Sequence, residues 1–220
     1  ILTFMNYLYY FKHLHILMAL PNTYFANLNP LGQFDNLESV TKEVKLMMDP
    51  NADPFASAPL DENAVPSKFG ASDVQDLNWV QLLNAYTCTE CGRCTSVCPA
   101  NITGKKLSPR KIMMDTRDRL QEVGNNIDAN KGIFVPDNKS LLNDYITPEE
   151  LWACTSCNAC VEECPVNISP LSIIMDMRRY LVMEQSAAPT TLNAMMSNIE
   201  NNGAPWPYNQ QDRLNWKDEN

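Results

Sequence analysis

Apolar residues are densest at the start of the chain. Ile1 to Phe11 carries no charge, Lys12, His13 and His15 interrupt, and Ile16 to Leu20 is apolar again. Prolines at 21, 30, 50, 54, 59 and 66 then break the chain into short pieces. One helix is expected among them, from about Asn36 to Met48, with Asp35 as N-cap and Val40, Val44 and Met47 along a packing face. Residues 51–72 read as extended. From Ser72 the pattern turns helical and stays so. Ser72-Asp-Val-Gln75 reads as a capping box for a helix to about Ala85, with Val74, Leu77, Val80, Gln81 and Leu83 or Asn84 on one face and Trp79 beside it. Thr147-Pro-Glu-Glu150 is a second capping box, with Pro148 at the first helical position, ahead of Leu151 and Trp152. Ser108-Pro109 and Ser169-Pro170 each read as a Ser N-cap followed by Pro opening a helix. Gly124 to Tyr145 is polar and turn-rich, a surface excursion. A last helix is expected near Thr191 to Asn201, stopped by Gly203.

The helices come in pairs around two cysteine clusters. Cys88-Thr-Glu-Cys91-Gly-Arg-Cys94-Thr-Ser-Val-Cys98-Pro99 follows the first capping-box helix, and Cys154-Thr-Ser-Cys157-Asn-Ala-Cys160-Val-Glu-Glu-Cys164-Pro165 follows the second. Each reads C-x2-C-x2-C-x3-C-P, and together they use all eight cysteines. That spacing suits a 4Fe-4S cubane: three thiolates in a tight loop reach three irons, and the fourth points away towards the other cluster. Pro99 and Pro165 end the loops and remove a backbone donor. Cys88, Cys91, Cys94 and Cys164 are therefore expected to hold one 4Fe-4S cluster, and Cys154, Cys157, Cys160 and Cys98 the second. A disulfide framework suits short secreted chains, and no signal peptide precedes these motifs. A zinc ribbon needs four ligands in paired knuckles and leaves the third cysteine and the Cys-Pro unexplained in both copies.

The repeat extends past the cysteines. Leu107 to Asp115 matches Ile168 to Asp176, Arg117 matches Arg178, and the first copy carries an insertion of about five residues near Asn101 to Lys105. The expected fold is all-α: an α-helical ferredoxin of two pseudo-repeated units, each helix, cluster loop, helix, with long extended flanks. The expected divisions are 1–20, the end of a membrane helix or a membrane-proximal segment; 21–71, an extended connector with one short helix; 72–186, the two-cluster helical domain; and 187–220, a tail for partner docking.

Composition narrows the chemistry. The 220 residues carry 17 basic and 26 acidic side chains, a net charge of −9, which argues against a nucleic-acid partner. Cysteine in this number, read as metal-bound, implies a reducing compartment. A membrane span needs about 20 predominantly apolar residues, and eleven precede Lys12. The chain starts at Ile1, and the reading is that the last turns of a membrane helix are seen, with Lys12 at the cytosolic interface and Tyr7, Tyr9 and Tyr10 in the aromatic belt; the alternative is an apolar helix packed on the core or on a partner. His13 and His15 are about 200° apart on a helix and cannot share one iron. In the tail, Trp206, Arg213 and Trp216 suggest docking on a partner, the alternative being a cover for the core. Ile102 and Ile168 are expected to shield the clusters, and Arg93 to raise the potential of the first by its charge, the alternative being that Arg93 merely faces solvent.

These features resemble a family. The doubled motif in a helical context is similar to the C subunit of heterodisulfide reductase and to the iron–sulfur subunits of glycolate oxidase and anaerobic glycerol-3-phosphate dehydrogenase. Gly203 to Trp206, with Arg213 and Trp216, resembles the Asn-Pro-Trp region that follows the ferredoxin part in this group. Lys12-His13-Leu14-His15 resembles the end of a membrane domain like the nitrate reductase gamma subunit. The resemblance implies an electron-transfer subunit of a membrane-associated respiratory-type oxidoreductase on the cytoplasmic face of the bacterial inner membrane. It would relay single electrons between a quinone or haem module and a CCG-domain or flavoprotein partner. Haem b would lie upstream of Ile1, and a CCG domain in a partner subunit or beyond Asn220. No nucleophile-and-base set, nucleotide loop or flavin motif is present to suggest catalysis within the chain. The rival expectations are a free soluble ferredoxin, or a scaffold in which the clusters are structural.

Overall fold

The computed structural model describes residues 1–7, 14–30, 32–33, 36–49 and 68–218. Among these the regular structure is helical, with one isolated bridge between Leu142 and Ile146 and no strand. The all-α expectation holds. The chain divides into two compact units, Ile1–Tyr180 and Leu181–Asn220, so the second begins before the residue 187 expected for the tail.

Helix α1 (Leu2–Tyr7) and helix α2 (Leu14–Tyr24) open the chain. Among the described residues no helix is long and apolar enough to cross a membrane. Lys12, His13, Tyr9 and Tyr10 lie outside the described residues. Helix α2 continues through Pro21, past the point where the connector was expected to start. It packs on the helix that precedes the first cysteine loop, and Asn22 is buried, its Nδ2 donating to the Val166 carbonyl at 2.7 Å. Ile16, Leu17 and Leu20 on its other side stay exposed. Helix α3 (Glu38–Met48) begins two residues later than expected, after Leu37, with no side-chain cap; Asp35 and residues 50–67 lie outside the described residues. Its apolar positions Val40, Val44 and Met47 are exposed, so among the described residues nothing packs over that face.

Entry to the core is stepped. The expected box at Ser72 and Gln75 is replaced by two others. Asp73 and Asp76 cap a single 3-10 turn, Val74–Asp76. The chain then extends at Leu77, and Asn78 and Gln81 cap helix α4 (Trp79–Thr87). Asp76 draws the first turn shut, accepting from the Ser72 and Asp73 amides at 2.9 and 3.1 Å. The inner face of α4 is polar: Gln81, Asn84 and Thr87 are buried with Ala85, and Trp79 faces out. Gln81 Nε2 donates to Asp176 Oδ2 at 2.7 Å across the core.

After the first cysteine loop come α5 (Arg93–Ser96), α6 (Pro99–Ile102) and the long α7 (Pro109–Ala129). Ser108 caps α7 through the Lys111 amide, as its sequence indicates. The helix runs straight past Gly124, where the surface excursion was expected to start. Its buried face, Ile112, Met113, Thr116, Arg119 and Val123, outweighs the roughly 1 kcal/mol that glycine costs a helix. The excursion also returns inward: Leu141, Leu142 and Ile146 are among the most buried residues. Then follow α8 (Pro148–Ala153), capped by Thr147 and Glu150 as expected, α9 (Ala159–Glu162) and α10 (Pro170–Arg179), capped by Ser169. Helix α10 packs on α7 and α8, and α4 on α7, so the paired helices of the repeat form one core.

The second unit holds α11 (Thr190–Asn202), closed by Gly203 in the left-handed conformation at φ 66. Beyond it the chain is not extended throughout: Gln210–Lys217 forms a 3-10 helix capped by Asn209.

Candidate metal centre

Each cysteine loop is launched from a helix C-terminus. Cys88 caps α4 and Cys154 caps α8. The two loops then repeat the same backbone, and not only the same spacing. Glu90 and Ser156 both adopt positive φ, 57 and 56. Gly92 and Asn158 do so two residues later, at 80 and 60, and open the short helices α5 and α9. Glycine and asparagine are residue types that tolerate this region. Such left-handed steps turn backbone N–H groups inward. The Ser156 amide donates to Cys154 Sγ and the Ile168 amide to Cys164 Sγ, both at 3.4 Å.

The eight thiols surround two adjoining cavities. One is lined by Cys88, Cys91, Cys94 and Cys164, with Arg93 and Arg110. The other is lined by Cys98, Cys154, Cys157 and Cys160. Cys160 also lines the first cavity and so stands in the wall between them. Cys91 and Cys157 are exposed, whereas Cys98 and Cys160 are buried. Pro165 lines the first cavity, and Pro99 opens α6 behind Cys98. Among the described residues no three His, Cys, Asp or Glu side chains converge as ligands of a single ion; the thiols ring a space instead, and a cubane presents a separate iron to each.

The electrostatics suit a cationic core. Burial pushes the Cys88, Cys94 and Cys154 thiols up, and neighbouring cysteines add to it. Burial, with Cys154 and Cys94 close by, pushes Cys160 up to about 12. Cys91 at the rim is lowered instead, chiefly because the Arg93 amide lies against it. Four crowded thiols ionise together when metal supplies the opposing charge, since ligands bind as thiolates. The donor set therefore fits an iron–sulfur cluster in each cavity.

One expectation about the surroundings changes. Ile168 is buried and lines the first cavity, but Ile102 is 68% exposed and shields neither. It sits at the end of α6, just before the inserted turn through Gly104. The apolar walls of the second cavity are Leu107, Leu171 and Ile174. Arg110, in the lining of the first cavity, is a residue that sequence reasoning missed; its repeat mate, Leu171, was the available signal. In the second unit Trp206 and Trp216 are 49% and 68% exposed, and Arg213 is exposed with them.

Comparisons with known proteins agree with this geometry. Residues 87–168 match the family model described as a 4Fe-4S dicluster domain. The chain is 32% identical, over 248 aligned positions, to the probable iron-sulfur-binding oxidoreductase FadF of Bacillus subtilis; the match takes in 100% of this chain and 32% of that protein. It is 34% identical over 169 positions to the EtfAB:quinone oxidoreductase of Syntrophomonas wolfei, covering 69% of this chain and 24% of that protein. It is 32% identical over 108 positions to the C subunit of the ferredoxin/F(420)H(2)-dependent CoB-CoM heterodisulfide reductase of Methanosarcina acetivorans, covering 49% of this chain and 52% of that protein. The chain thus spans a third or less of the first two relatives and about half of the third. The eight cysteines that ring the two cavities lie within the stretch, residues 87–168, that matches a 4Fe-4S dicluster domain, and the chain is similar to the C subunit of a heterodisulfide reductase.

Proposed function

We propose that the chain relays single electrons through two 4Fe-4S clusters to and from a redox partner subunit. In this reading Cys88, Cys91, Cys94 and Cys164 hold one cluster, and Cys154, Cys157, Cys160 and Cys98 hold the other. The observation that carries it is the pair of adjoining four-thiol cavities with Cys160 in their common wall. The bound groups supply one-electron chemistry; the chain supplies their spacing, shielding and electrostatics. Exposed Cys91 and Cys157 mark the two outer corners where electrons enter and leave, and Cys160 marks the passage between.

The partner in this proposal is a CCG-domain or flavoprotein subunit on one side and a quinone or haem module on the other, at the cytoplasmic face of the inner membrane. The quinone oxidoreductase among the relatives supports the membrane side, because a lipid-soluble quinone is met at a bilayer. The apolar residues Ile16, Leu17 and Leu20, exposed on α2, would face that bilayer or the subunit within it. The native protein is expected to stay with membranes through a high-salt wash, since screening weakens surface charge contacts and not apolar burial. It is expected to carry about eight irons and eight acid-labile sulfides per chain. A content near four of each, or release by salt alone, rejects the corresponding half of the proposal.

Trp206, Arg213 and Trp216 would dock the catalytic partner. Trp and Arg are the residue types most enriched at interface hot spots. Changing Trp206 and Trp216 together to alanine is expected to weaken assembly by about 2 kcal/mol or more while leaving iron content intact, as read by co-purification beside an iron assay. Iron loss with partner binding retained would make the tail a cover for the clusters instead.

A further inference from the structure

The repeat gives an internal control for electrostatics, because the two cavities are built from matched positions. Arg117 and Arg178 are mates, and each is a cation near the first cysteine of its own motif, Cys88 and Cys154. They are not equal: Arg117 is paired with Glu90 and Asp118, whereas Arg178 donates to the Leu151 and Cys154 carbonyls, so one cation without a carboxylate partner among the described residues stands beside the second set, against the two arginines of the first cavity. Arg93 and Arg110 both line the first cavity, and their mates, Ala159 and Leu171, carry no charge. The second cavity has no charged side chain among its described lining residues. Arg110 folds over the loop itself: a Cβ at Gly92 would lie 3.7 Å from its Nη1. The nearby acid of that loop, Glu90, is held by Arg117 at 2.7 Å, which restrains it from neutralising the arginines. Glu163, beside Cys164 in sequence, is exposed and outside the lining.

Other features of the two cavities are alike. A backbone amide donates to sulfur in each set, Ile168 to Cys164 in the first and Ser156 to Cys154 in the second. Both have apolar walls, Met113, Val166 and Ile168 in the first and Leu107, Leu171 and Ile174 in the second. Reduction adds one negative charge. Cations and hydrogen-bond donors favour the reduced state, and burial among apolar side chains opposes it.

We infer that Arg93 and Arg110 make the first cavity the higher-potential site of the pair, so that a single electron shared between the two rests beside Cys88, Cys91 and Cys94. This order rests on the two-cluster reading above. It fixes a direction within the chain: an electron entering at the Cys157 corner passes downhill to the Cys91 corner.

The test is an anaerobic dithionite titration of the full chain, reconstituted with iron and sulfide and followed by EPR. Each step takes up one electron from the reductant. The wild-type chain is expected to show two steps at separate potentials. Arg93→Gln with Arg110→Gln is expected to move the higher step down and leave the lower one in place, narrowing the gap; Arg93→Lys, which keeps the charge, is expected to leave both steps near their wild-type positions. Both arginines are exposed, so neither substitution opens the core. Raising the salt from about 0.15 M to about 1 M shortens the screening length from about 8 Å to about 3 Å; it is expected to narrow the wild-type gap more than that of the double variant. The inference is overturned if the lower step moves instead, if both move together, or if neither moves. Iron and sulfide are measured on every sample. Fewer than two clusters in the wild-type chain rejects the relay proposal itself; two clusters with unmoved steps rejects only the role of the arginines.

Discussion

Replacing Cys98 with serine is expected to remove the cluster held by Cys154, Cys157 and Cys160 and to spare the one held by the loop in which Cys98 itself lies. The reason is where the side chain goes. Cys98 is the N-cap of α6 with the extended backbone that a residue before proline favours, and its thiol lines the second cavity, not that of its own loop. It is buried in the wall of the second cavity, beside Cys154 and Cys160. Cys164 stands reciprocally in the first cavity, close to Cys88 and Cys94. Iron in the Cys98→Ser variant is expected to fall from about eight to about four per chain. EPR then assigns the loss without any prior label on the signals. Cys98→Ser and Cys154→Ser should lose the same signal, and Cys98→Ser and Cys88→Ser different ones. If Cys98→Ser instead matches Cys88→Ser, each motif closes on its own cluster and the crossing is wrong.

Short-range signals were legible in the sequence and long-range ones were not. Thr147 with Glu150, Ser108-Pro109 and Ser169-Pro170 open helices where they should, because a cap is decided by three or four adjacent residues. The same local logic misplaced the start of the core. Asp73 competes with Ser72 as a cap, and its carboxylate also reaches Arg119, 46 positions away, which no local pattern reveals. Gly124 and the polar run after it looked like a break, yet Val123 and Arg119 bury the helix on one side and carry it through. Leu141, Leu142 and Ile146 are too short an apolar run to stand out among polar residues, though they fill the core. For the candidate site, spacing alone pointed to all eight cysteines. Arg110 was missed because its position depends on α7 folding back over the Gly92 loop.

Replacing Arg119 with methionine is expected to cost more stability than the changes at the exposed tryptophans or at the two cavity arginines. Its side chain has no exposed surface, an unusual place for a permanent cation. Every face of the guanidinium has a partner. Nε and Nη2 donate to Asp73 at 3.0 and 2.7 Å, and Nη2 donates to Asp137 at 3.0 Å and to the Lys139 carbonyl at 2.8 Å. One residue thus ties the 3-10 turn that leads into α4, the long helix α7 and the returning segment around 137–141. Methionine preserves much of the volume but leaves two carboxylates and a carbonyl without their donor. Breaking such a buried pair costs about 3–5 kcal/mol. At about 2–4 °C per kcal/mol for a chain of this size, the melting temperature should drop by roughly 6–20 °C, measured by far-UV circular dichroism on cluster-loaded protein. Arg119→Lys should recover only part of this, because a single ammonium cannot serve Asp73 and Asp137 in a fork. The pH dependence follows from Asp137, which the Arg119 guanidinium holds at about 2, below the ordinary value of about 3.9. A depressed carboxylate contributes stability that is complete above the unfolded value and is lost as pH falls from about 4 towards 2. The gap between wild type and Arg119→Met should therefore be constant between about pH 6 and pH 8. A drop smaller than about 2 °C, or a gap that changes across that range, would show that water replaces the arginine at little cost and that the three segments are held by other contacts.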